Sequence, residues 1–261
     1  EGKRRGKIVV VGGPWVFHFP MDALESGADI VVQGECEGVI PQLVEALVDR
    51  RSGLIVRATG PVDLGASPVP RYDLLDMEQY MDMGVQFSRG CPFKCEFCGV
   101  TFMYVGKVRP KPTEPVIAEL QCLYDLGWRR AVFFVDDNFI GNKRQLKTEL
   151  LPALIEWRQD KPGVTFQTEA SINMADDEEL LQLMRAAGFT VVFIGIETPD
   201  DDSLAECSKK QNQNRDLVAD VKRIQRAGRQ VQGAKVGLAD MMGGNKEGDT
   251  RACTVHILVR E

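Results

Sequence analysis

The sequence predicts an α/β protein in which a partial (βα) barrel follows the remnant of a doubly wound parallel α/β domain. Two observations predict this fold. Short β-branched runs alternate with amphipathic helical stretches along most of the chain, which is typical of parallel sheets. A stretch rich in Pro, Gly and Ser interrupts the alternation once. The boundaries that follow are 1–57 for the C-terminal part of the first domain, 58–83 for a linker, 84–232 for the partial barrel and 233–261 for an atypical tail.

The first domain is predicted from two buried strands, each followed by a helix. The strands lie at 8–11 and 29–34, and the helices at about 21–26 and 39–47. Continuous apolar runs of this kind are typical of strands that are covered on both faces. The sequence begins at Glu1 without an initiator Met and reaches the first strand within a few residues, so we interpret it as a fragment.

The second region repeats a unit of one strand and one helix. Strands are predicted at 85–90, 130–137, 164–170, 190–197 and 230–238, and helices at about 113–126, 143–158, 176–187 and 214–227. A closed barrel has roughly eight strands in about 250 residues, so these five predict a partial barrel. From Gly233 onward the pattern changes, which sets off the tail.

The predicted helix ends rest on residues with specific backbone preferences. Thr113 is predicted to cap the first barrel helix, and Asp176 with Glu179 resembles a capping box. Three glycines are predicted to take left-handed positions after helices, namely Gly127, Gly188 and Gly228.

Composition and charge narrow the class of protein. The 261 residues carry a net charge of -6, with basic residues scattered among acidic ones, so no nucleic-acid-binding surface is predicted. No apolar run approaches the ~20 residues of a membrane span. Seven cysteines, an odd number, predict free thiols in a reducing compartment instead of a disulfide framework. A cytoplasmic enzyme acting on a small-molecule substrate is expected.

Three of the cysteines lie close together in the segment CPFKCEFC. Cys91, Cys95 and Cys98 directly follow the first barrel strand, in the loop where barrels place active sites. Three thiolates at this spacing are able to converge on one metal centre. A structural zinc site normally has a fourth ligand, and His18 and His256 are far away in sequence. The spacing favours an iron–sulfur cubane with one open iron over a zinc site or three buried thiols that act as small hydrophobes.

The Cys-x3-Cys-x2-Cys spacing, with the aromatic Phe97 before the last cysteine, resembles the radical S-adenosylmethionine (SAM) superfamily. The resemblance covers most of residues 7–232 and is strongest to members with an N-terminal cobalamin-binding-type domain. It runs through the segments RYDLLD, FSRGCPFKCEFC, VFFVDDNFIGNK, TEASINMADDEELLQLM, FIGIETP and KKQNQNRDLVADVKRIQRAG. The expected fold is then a radical SAM partial barrel after a cobalamin-binding-like remnant. Gly99 departs from the pattern, because related sequences often have an acidic residue after the third cysteine.

The resemblance implies a [4Fe-4S] cluster and SAM as cofactors. In this superfamily the open iron chelates the amino and carboxylate groups of SAM, and one electron breaks a sulfur–carbon bond to give a 5′-deoxyadenosyl radical. A flavodoxin- or ferredoxin-like protein is the expected electron donor, and methyl transfer or a related radical modification of an unactivated carbon is the expected reaction. Cobalamin is a candidate further cofactor, because Gly12 and Gly13 resemble the glycine pair against which its nucleotide tail lies. The alternatives are a noncatalytic iron–sulfur or zinc-binding protein and an inactive truncated remnant.

The remaining cofactor-binding candidates are Phe97 of the cysteine segment and a set of residues at the strand ends. They are Phe97, Asp136, Asp137, Asn138, Glu169, Ser171, Gly195 and Glu197. By resemblance, Phe97 contacts the adenine and the end of the second strand holds the methionine ammonium. Asp136, Asp137 and Asn138 form a polar trio at that strand end, and Asp137 is the preferred ligand among them. The alternative is that the trio forms a helix-capping turn.

The later strand ends carry less specific signals. Glu169 and Ser171 are expected to reach ribose hydroxyls, or else to be an exposed Glu and a loop Ser. Gly195 permits close backbone approach beside Glu197, and the resemblance places both at the cofactor pocket. The other cysteines are interpreted as bulk or surface residues: Cys36, Cys122, Cys207 and Cys253. The neighbouring pair Lys209 and Lys210 is interpreted as part of a solvated helix face.

Overall fold

A computed structural model describes residues 2–104, 106–228 and 230–234 of the chain. The residues form two compact units that divide after Ser67, within the stretch predicted as the linker. From position 235 onward the chain lies outside the described residues. This part includes the end of the strand predicted at 230–238 and most of the tail predicted at 233–261. No helix in the described ranges has both the length and the hydrophobicity that crossing a membrane requires.

The first unit is a three-stranded parallel sheet with helices on both faces. Its elements are β1 (Val10–Val11), α1 (Pro14–His18), α2 (Pro20–Glu25), β2 (Ile30–Gln33), α3 (Ile40–Val48) and β3 (Leu54–Arg57), in strand order β1-β2-β3. Successive residues of β2 face opposite sides, because Ile30 packs with Ala46 of α3 whereas Val31 packs with Val16 of α1. Cover on both faces confirms the doubly wound character, although α1 and β3 are absent from the sequence prediction.

The second unit is built on a parallel sheet whose strands follow chain order. The strands of this unit are β4 (Met83–Val85), β5 (Ser88–Arg89), β6 (Arg109–Pro110), β7 (Ala131–Phe134), β8 (Thr165–Glu169), β9 (Phe189–Gly195) and β10 (Gln230–Ala234). Five of them form the sheet β4-β7-β8-β9-β10, with every pair parallel, while β5 and β6 form a separate antiparallel ribbon. This order confirms the predicted partial barrel.

Helices lie between the strands of the second unit. They are α4 (Gly99–Tyr104), α5 (Thr113–Asp125), α6 (Lys143–Gln145), α7 (Leu151–Arg158), α8 (Glu178–Ala186), α9 (Asp201–Glu206) and α10 (Leu217–Arg226), with a π-helical turn at Leu146–Leu150 between α6 and α7. Of these, α4 and α9 are absent from the sequence prediction. The left-handed glycines are confirmed, since φ is +95° at Gly127, +92° at Gly188 and +84° at Gly228.

The two side-chain caps predicted from the sequence are wrong. Thr113 is the first residue of α5 and makes no capping hydrogen bond, and its buried hydroxyl has no partner within the described structure. The cap of α8 is Asp177, whose carboxylate accepts a backbone N–H at 3.0 Å. Asp176 instead forms an ion pair with Arg215 at 2.6 Å. A distant cation therefore decides which carboxylate of this acidic run caps the helix.

An aromatic cluster fixes the loop that follows β7. Its rings belong to Phe134, Phe139, Phe166 and Phe189, each at most 2% exposed, with contacting ring centroids 4.9 to 5.5 Å apart. Phe134 ends β7 and Phe139 follows the polar trio of residues 136–138. Because both flanks of this short segment are packed into the core, the trio is held at the carboxyl end of β7.

The first barrel strand ends earlier than predicted. The sequence places it at 85–90, but β4 ends at Val85 and the chain then leaves the sheet to form β5. The backbone N–H groups of Phe87 and Ser88 donate to the carboxylate of Asp136 instead of to a neighbouring strand. A side chain therefore replaces the strand ladder at this point.

We expect Phe139→Ala to lower the free energy of unfolding by about 3–5 kcal/mol, because the variant removes a fully buried ring and leaves a cavity. Urea denaturation followed by tryptophan fluorescence measures the change. Val218→Ala is the control, because Val218 is 63% exposed on α10, and its effect should stay within about 0.5 kcal/mol. Equal effects of the two variants would contradict the role of the cluster.

Candidate functional site

The three clustered cysteines lie in the loop between β5 and α4. Cys95 is 7% exposed, Cys91 and Cys98 are half-buried, and all three are free thiols. The backbone N–H of Cys98 donates to the carbonyl of Cys95 at 3.1 Å, which curls the loop before α4 begins. The sequence places this loop directly after the first barrel strand, whereas in the structure the short strand β5 of the separate ribbon lies between β4 and the loop. We call residues 90–98 the cysteine loop.

Gly90 begins the cysteine loop in a conformation that favours glycine. Its φ is +96°, and a Cβ at this position would lie 2.0 Å from the carbonyl oxygen of Lys107. A side chain has no room there, because the obstructing atom belongs to the backbone. Its N–H donates to the carboxylate of Asp137 at 2.7 Å. The loop is thus fastened to the end of β7 at its first residue.

Asp136 holds the chain just before the cysteine loop. Its carboxylate accepts hydrogen bonds from the backbone N–H of Phe87 at 3.0 Å and from both the backbone N–H and the hydroxyl of Ser88. The residue is 1% exposed. Both oxygens are therefore engaged inside the protein, which supports a positioning role over the ligand role expected from the sequence.

Burial also dominates the acidity of Asp136. Desolvation raises the pKa of its carboxyl to about 7, while the hydrogen bonds from Ser88 and Phe87 lower it and the charge of Asp137 raises it. The pKa of Asp137 is raised as well, mainly by burial, although this residue is half-buried. Of the two carboxylates, Asp137 is the one that remains accessible at the end of β7.

Asn138 connects the cysteine loop to the next strand end. Its side-chain amide donates to the sulfur of Cys91 at 3.6 Å and to the hydroxyl of Ser171 at 3.1 Å, and its oxygen accepts the backbone N–H of Ser171 at 3.3 Å. Asn138 is 3% exposed. Ser171 donates in turn to Asn173 at 2.6 Å. These contacts bring together residues that the sequence prediction placed on separate strands.

Glu169 ends β8 with an exposed side chain, and its carboxylate makes no hydrogen bond to the described residues. The pKa of this carboxyl is raised by desolvation from crowding protein atoms and then by the charge of Asp137. The carboxylates of Glu169 and Asp137 thus face a common region beside the cysteine loop. A cationic or hydroxyl-bearing ligand would relieve their mutual repulsion.

The end of β9 is closed by a buried ion pair. Lys209 Nζ lies 2.6 Å from Glu197 Oε1, and the two side chains are 9% and 10% exposed. A Cβ at Gly195 would lie 2.6 Å from that Glu197 oxygen, so a side chain there would have to displace the ion pair. Lys209 Nζ also lies 5.4 Å from the centre of the Phe97 ring. The interpretation of Lys209 as a solvated residue is therefore wrong, whereas Lys210 is exposed.

Sequence reasoning missed the segment after α9. The amide of Gln211 donates to the sulfur of Cys95 at 3.5 Å, and the amide of Asn212 donates to the carbonyls of Gly195 and Ile196 at 3.0 and 2.9 Å. The amide oxygens of Gln211 and Asn212 are buried and have no hydrogen-bond partner in the described structure. The only indication in the sequence was the run KKQNQN, which is polar throughout and has no helical spacing of apolar residues. Such a run does not show which groups its side chains contact.

The donors at the cysteine loop fit an iron–sulfur cluster. Thiolates are soft ligands that select iron–sulfur clusters or zinc. Among the described residues, no three His, Cys, Asp or Glu side chains converge as ligands of one metal ion. Each cysteine of a cubane binds a different iron, so its sulfurs stand farther apart than the ligands of a single ion. Amide N–H groups that face the sulfurs of Cys91 and Cys95 suit ligands that carry negative charge.

Gly12 and Gly13 lie in the first unit, between β1 and α1. Gly13 has φ of +100° and a Cβ there would meet nothing within 4 Å, while a Cβ at Gly12 would lie 3.7 Å from the Val32 carbonyl oxygen. At Gly13 the backbone is therefore uncovered by the described residues of the unit, whereas Gly12 lies against β2. The expected role of the pair in cobalamin binding stays a prediction.

Comparison with known proteins identifies a family for this chain. The family model described as Radical SAM superfamily matches residues 85–252, more than half of the chain. An uncharacterized methyltransferase of Synechocystis sp. is 47% identical over 229 residues, which are 87% of this chain and 42% of that protein. The hopanoid C-2 methylase of Rhodopseudomonas palustris is 37% identical over 229 residues, which are 85% of this chain and 43% of that protein. The chain thus spans less than half the length of these curated relatives.

The fold also matches solved structures. The radical SAM methyltransferase TsrM from Kitasatospora setae, with tryptophan substrate and a SAM analog bound, has a TM-score of 0.70 and 20% identity, and the match covers 88% of this chain and 50% of that one. A second TsrM structure, with cobalamin and a [4Fe-4S] cluster bound, has a TM-score of 0.66 at 19% identity, covering 88% of this chain and 51% of that one. At this identity the likeness shows the fold, and both units are included in the match.

We expect Gly90→Ala to abolish the binding of iron and sulfide, because the new methyl group must displace the backbone of the cysteine loop. Iron and sulfide analysis after anaerobic reconstitution measures the effect, and circular dichroism reports the fold. Gly127→Ala is the matched control: its φ is +95°, but a Cβ there meets nothing within 4 Å. That variant should lose about 1–2 kcal/mol of stability, the cost of a left-handed conformation for alanine, and keep the metal. Full metal content in Gly90→Ala would contradict the loop geometry.

Asp136→Asn should change how stability depends on pH. The folded-state pKa of Asp136, about 7, exceeds its ordinary value of 3.8, so its stabilising contribution is complete below about pH 4 and is lost as pH rises toward 7. The free energy of unfolding of the metal-free wild type, minus that of the variant, should therefore decrease as the pH rises from about 4 to about 7. The decrease should be at most ~1.4 kcal/mol per pH unit. Denaturation at a series of pH values measures it. A difference that stays constant or rises would contradict the assignment.

Proposed function

This chain belongs to the radical SAM superfamily, and on that premise we propose that it binds a [4Fe-4S] cluster and cleaves SAM reductively. The radical formed by this cleavage would be used for methyl transfer or a related modification of an unactivated carbon in a small-molecule substrate. The observation that carries the proposal is the cysteine loop, which is fastened by Asp136 and Asp137 to the carboxyl end of β7. The methyltransferase names of the curated relatives support the reaction class.

Cys91, Cys95 and Cys98 would hold the cluster. When bound, such a cluster supplies one electron and an open iron that chelates the methionine end of SAM. The protein's own contribution is geometric and electrostatic. Burial and the amide donors Asn138 and Gln211 set the surroundings of the sulfurs, and the fixed loop gives the three thiols their positions before metal binds.

The SAM-binding residues are proposed from their positions around the loop. Phe97 would contact the adenine, and its ring is already placed beside Lys209. Asp137 would receive the ammonium and Glu169 the ribose hydroxyls, since both carboxylates are accessible. Burial raises the pKa of each carboxyl above its ordinary value. Ser171 would contribute its hydroxyl near the ribose.

The remaining candidates act more indirectly. Asp136 and Asn138 would position the loop, because both are buried and engaged with it. Gly195 would let a ligand approach the backbone, and Glu197 would shape that wall through its ion pair with Lys209. These roles refine the ligand roles expected from the sequence without replacing the cysteine assignment.

Cobalamin is proposed as a further cofactor of the first unit. The cobalamin-bound TsrM structure covers both units of this chain, and the first unit is a doubly wound parallel sheet whose Gly12-Gly13 turn is uncovered at Gly13. The carboxyl ends of strands in such sheets are ordinary ligand sites. A flavodoxin- or ferredoxin-like electron donor and a cytoplasmic location are proposed as well, and the six free cysteines of the described residues support a reducing compartment.

The proposal is tested by anaerobic reconstitution with iron and sulfide, followed by incubation with SAM and a strong reductant, with and without methylcobalamin. We expect 5′-deoxyadenosine or S-adenosylhomocysteine as product. Cys95→Ala should lose the cluster and all product, because one of three ligands is gone, whereas Cys122→Ala should keep both. Zinc without sulfide in the wild type, or an intact cluster that yields neither product, would contradict the proposal and favour a noncatalytic metal protein.

A further inference from the structure

The segment after α9 makes hydrogen bonds to the cysteine loop. We call this segment, residues 207–212, the clasp. The backbone N–H of Glu96 donates to the carbonyl of Cys207 at 3.0 Å, and the hydroxyl of Ser208 donates to the Glu96 carboxylate at 3.3 Å. Two successive residues of the clasp thus contact one residue of the loop, Glu96. Backbone and side chains both take part, so the register between the two segments is defined.

The clasp is itself rigidly attached to the end of β9. Asn212 donates to two carbonyls there, those of Gly195 and Ile196, and Lys209 pairs with Glu197. Asn212 is 1% and Lys209 7% exposed. The position of the clasp therefore follows the sheet, and any side chain that it directs at the cysteine loop is preorganised.

Gln211 is the clasp residue that reaches a cysteine sulfur. Its Nε2 lies 3.5 Å from Cys95 Sγ, while its Oε1 is buried and has no hydrogen-bond partner in the described structure. The opposite amide orientation would direct an oxygen at the sulfur, and a metal-bound thiolate has no proton to donate to it. Only the orientation with N–H facing sulfur is favourable once the cysteine carries metal.

An N–H group that faces a metal-bound thiolate stabilises negative charge on the cluster. Reduction adds one electron, so such a hydrogen bond favours the reduced state and raises the reduction potential. We infer that Gln211 raises the reduction potential of the cluster by donating a hydrogen bond to Cys95, and thereby eases reduction of the cluster by the external electron donor, the step that precedes SAM cleavage. This inference rests on the proposed function, and it makes Gln211 a positioning and tuning residue that does not contact the reacting atoms.

The test compares three variants with the wild type by potentiometric titration of the reconstituted cluster, monitored by electron paramagnetic resonance. Gln211→Met keeps the length of the side chain and removes the N–H donor, and Gln211→Glu keeps its shape and replaces the donor by an acceptor. Gln213→Met is the matched control, since Gln213 is a half-buried glutamine two positions along the chain whose side chain donates no hydrogen bond to a cysteine of the described residues. Iron and sulfide content is measured for each.

We expect Gln211→Met to hold a full cluster whose midpoint potential is more negative than that of the wild type. At the wild-type midpoint, its ratio of reduced to oxidised cluster should fall about fivefold, the equivalent of one ordinary hydrogen bond. The potential of Gln211→Glu should fall at least as far, and Gln213→Met should match the wild type. These shifts are not expected from a residue that merely supports the fold.

An unchanged or more positive potential in Gln211→Met with a full cluster would overturn the inference. If the Met variant loses its cluster, Gln211→Glu decides in the same way. Loss of the cluster from both, with Gln213→Met intact, would also overturn it, because Gln211 would then serve assembly and not tuning. A wild-type chain that binds no iron and sulfide would overturn the proposed function itself, and the inference with it.

Discussion

The carboxylate of Asp136 accepts the backbone N–H groups of Phe87 and Ser88, and the rest of the site depends on this contact. It ends the first barrel strand and turns the chain out of the sheet directly before the cysteine loop. A carboxylate in this position satisfies two buried backbone donors that a strand would otherwise pair. The aromatic cluster around Phe139 makes the contact possible by fixing the short loop that carries Asp136.

The cysteine loop is then held from two sides with different chemistry. On one side the end of β7 supplies Asp137, which receives the N–H of Gly90, and Asn138, which donates to Cys91. On the other side the clasp supplies Gln211, which donates to Cys95. Fixing the thiols before metal binds reduces the ordering that cluster binding must otherwise impose. The same elements border the region where Glu169 and Phe97 are proposed to bind SAM, so cluster and SAM sites share one scaffold.

Local patterns allowed much of this arrangement to be predicted from the sequence. The strands of the barrel follow from apolar runs, the turns from glycines such as Gly188, and the cysteine loop from its spacing. What could not be predicted depends on contacts between distant residues: nothing near Lys209 indicates that Glu197 will bury it, and nothing near Asp136 indicates that its partners lie about 50 positions away. The predicted capping box at Asp176 fails for the same reason, because Asp176 pairs with the distant Arg215.

The central claim is that the cysteine loop holds a cluster with one iron open to SAM. The most direct measurement is the electron paramagnetic resonance spectrum of the anaerobically reconstituted and reduced chain, recorded before and after SAM is added. Coordination of SAM at the open iron should change the cluster signal, and Cys95→Ala should show no cluster signal in either condition. A cluster signal that SAM leaves unchanged would contradict the account.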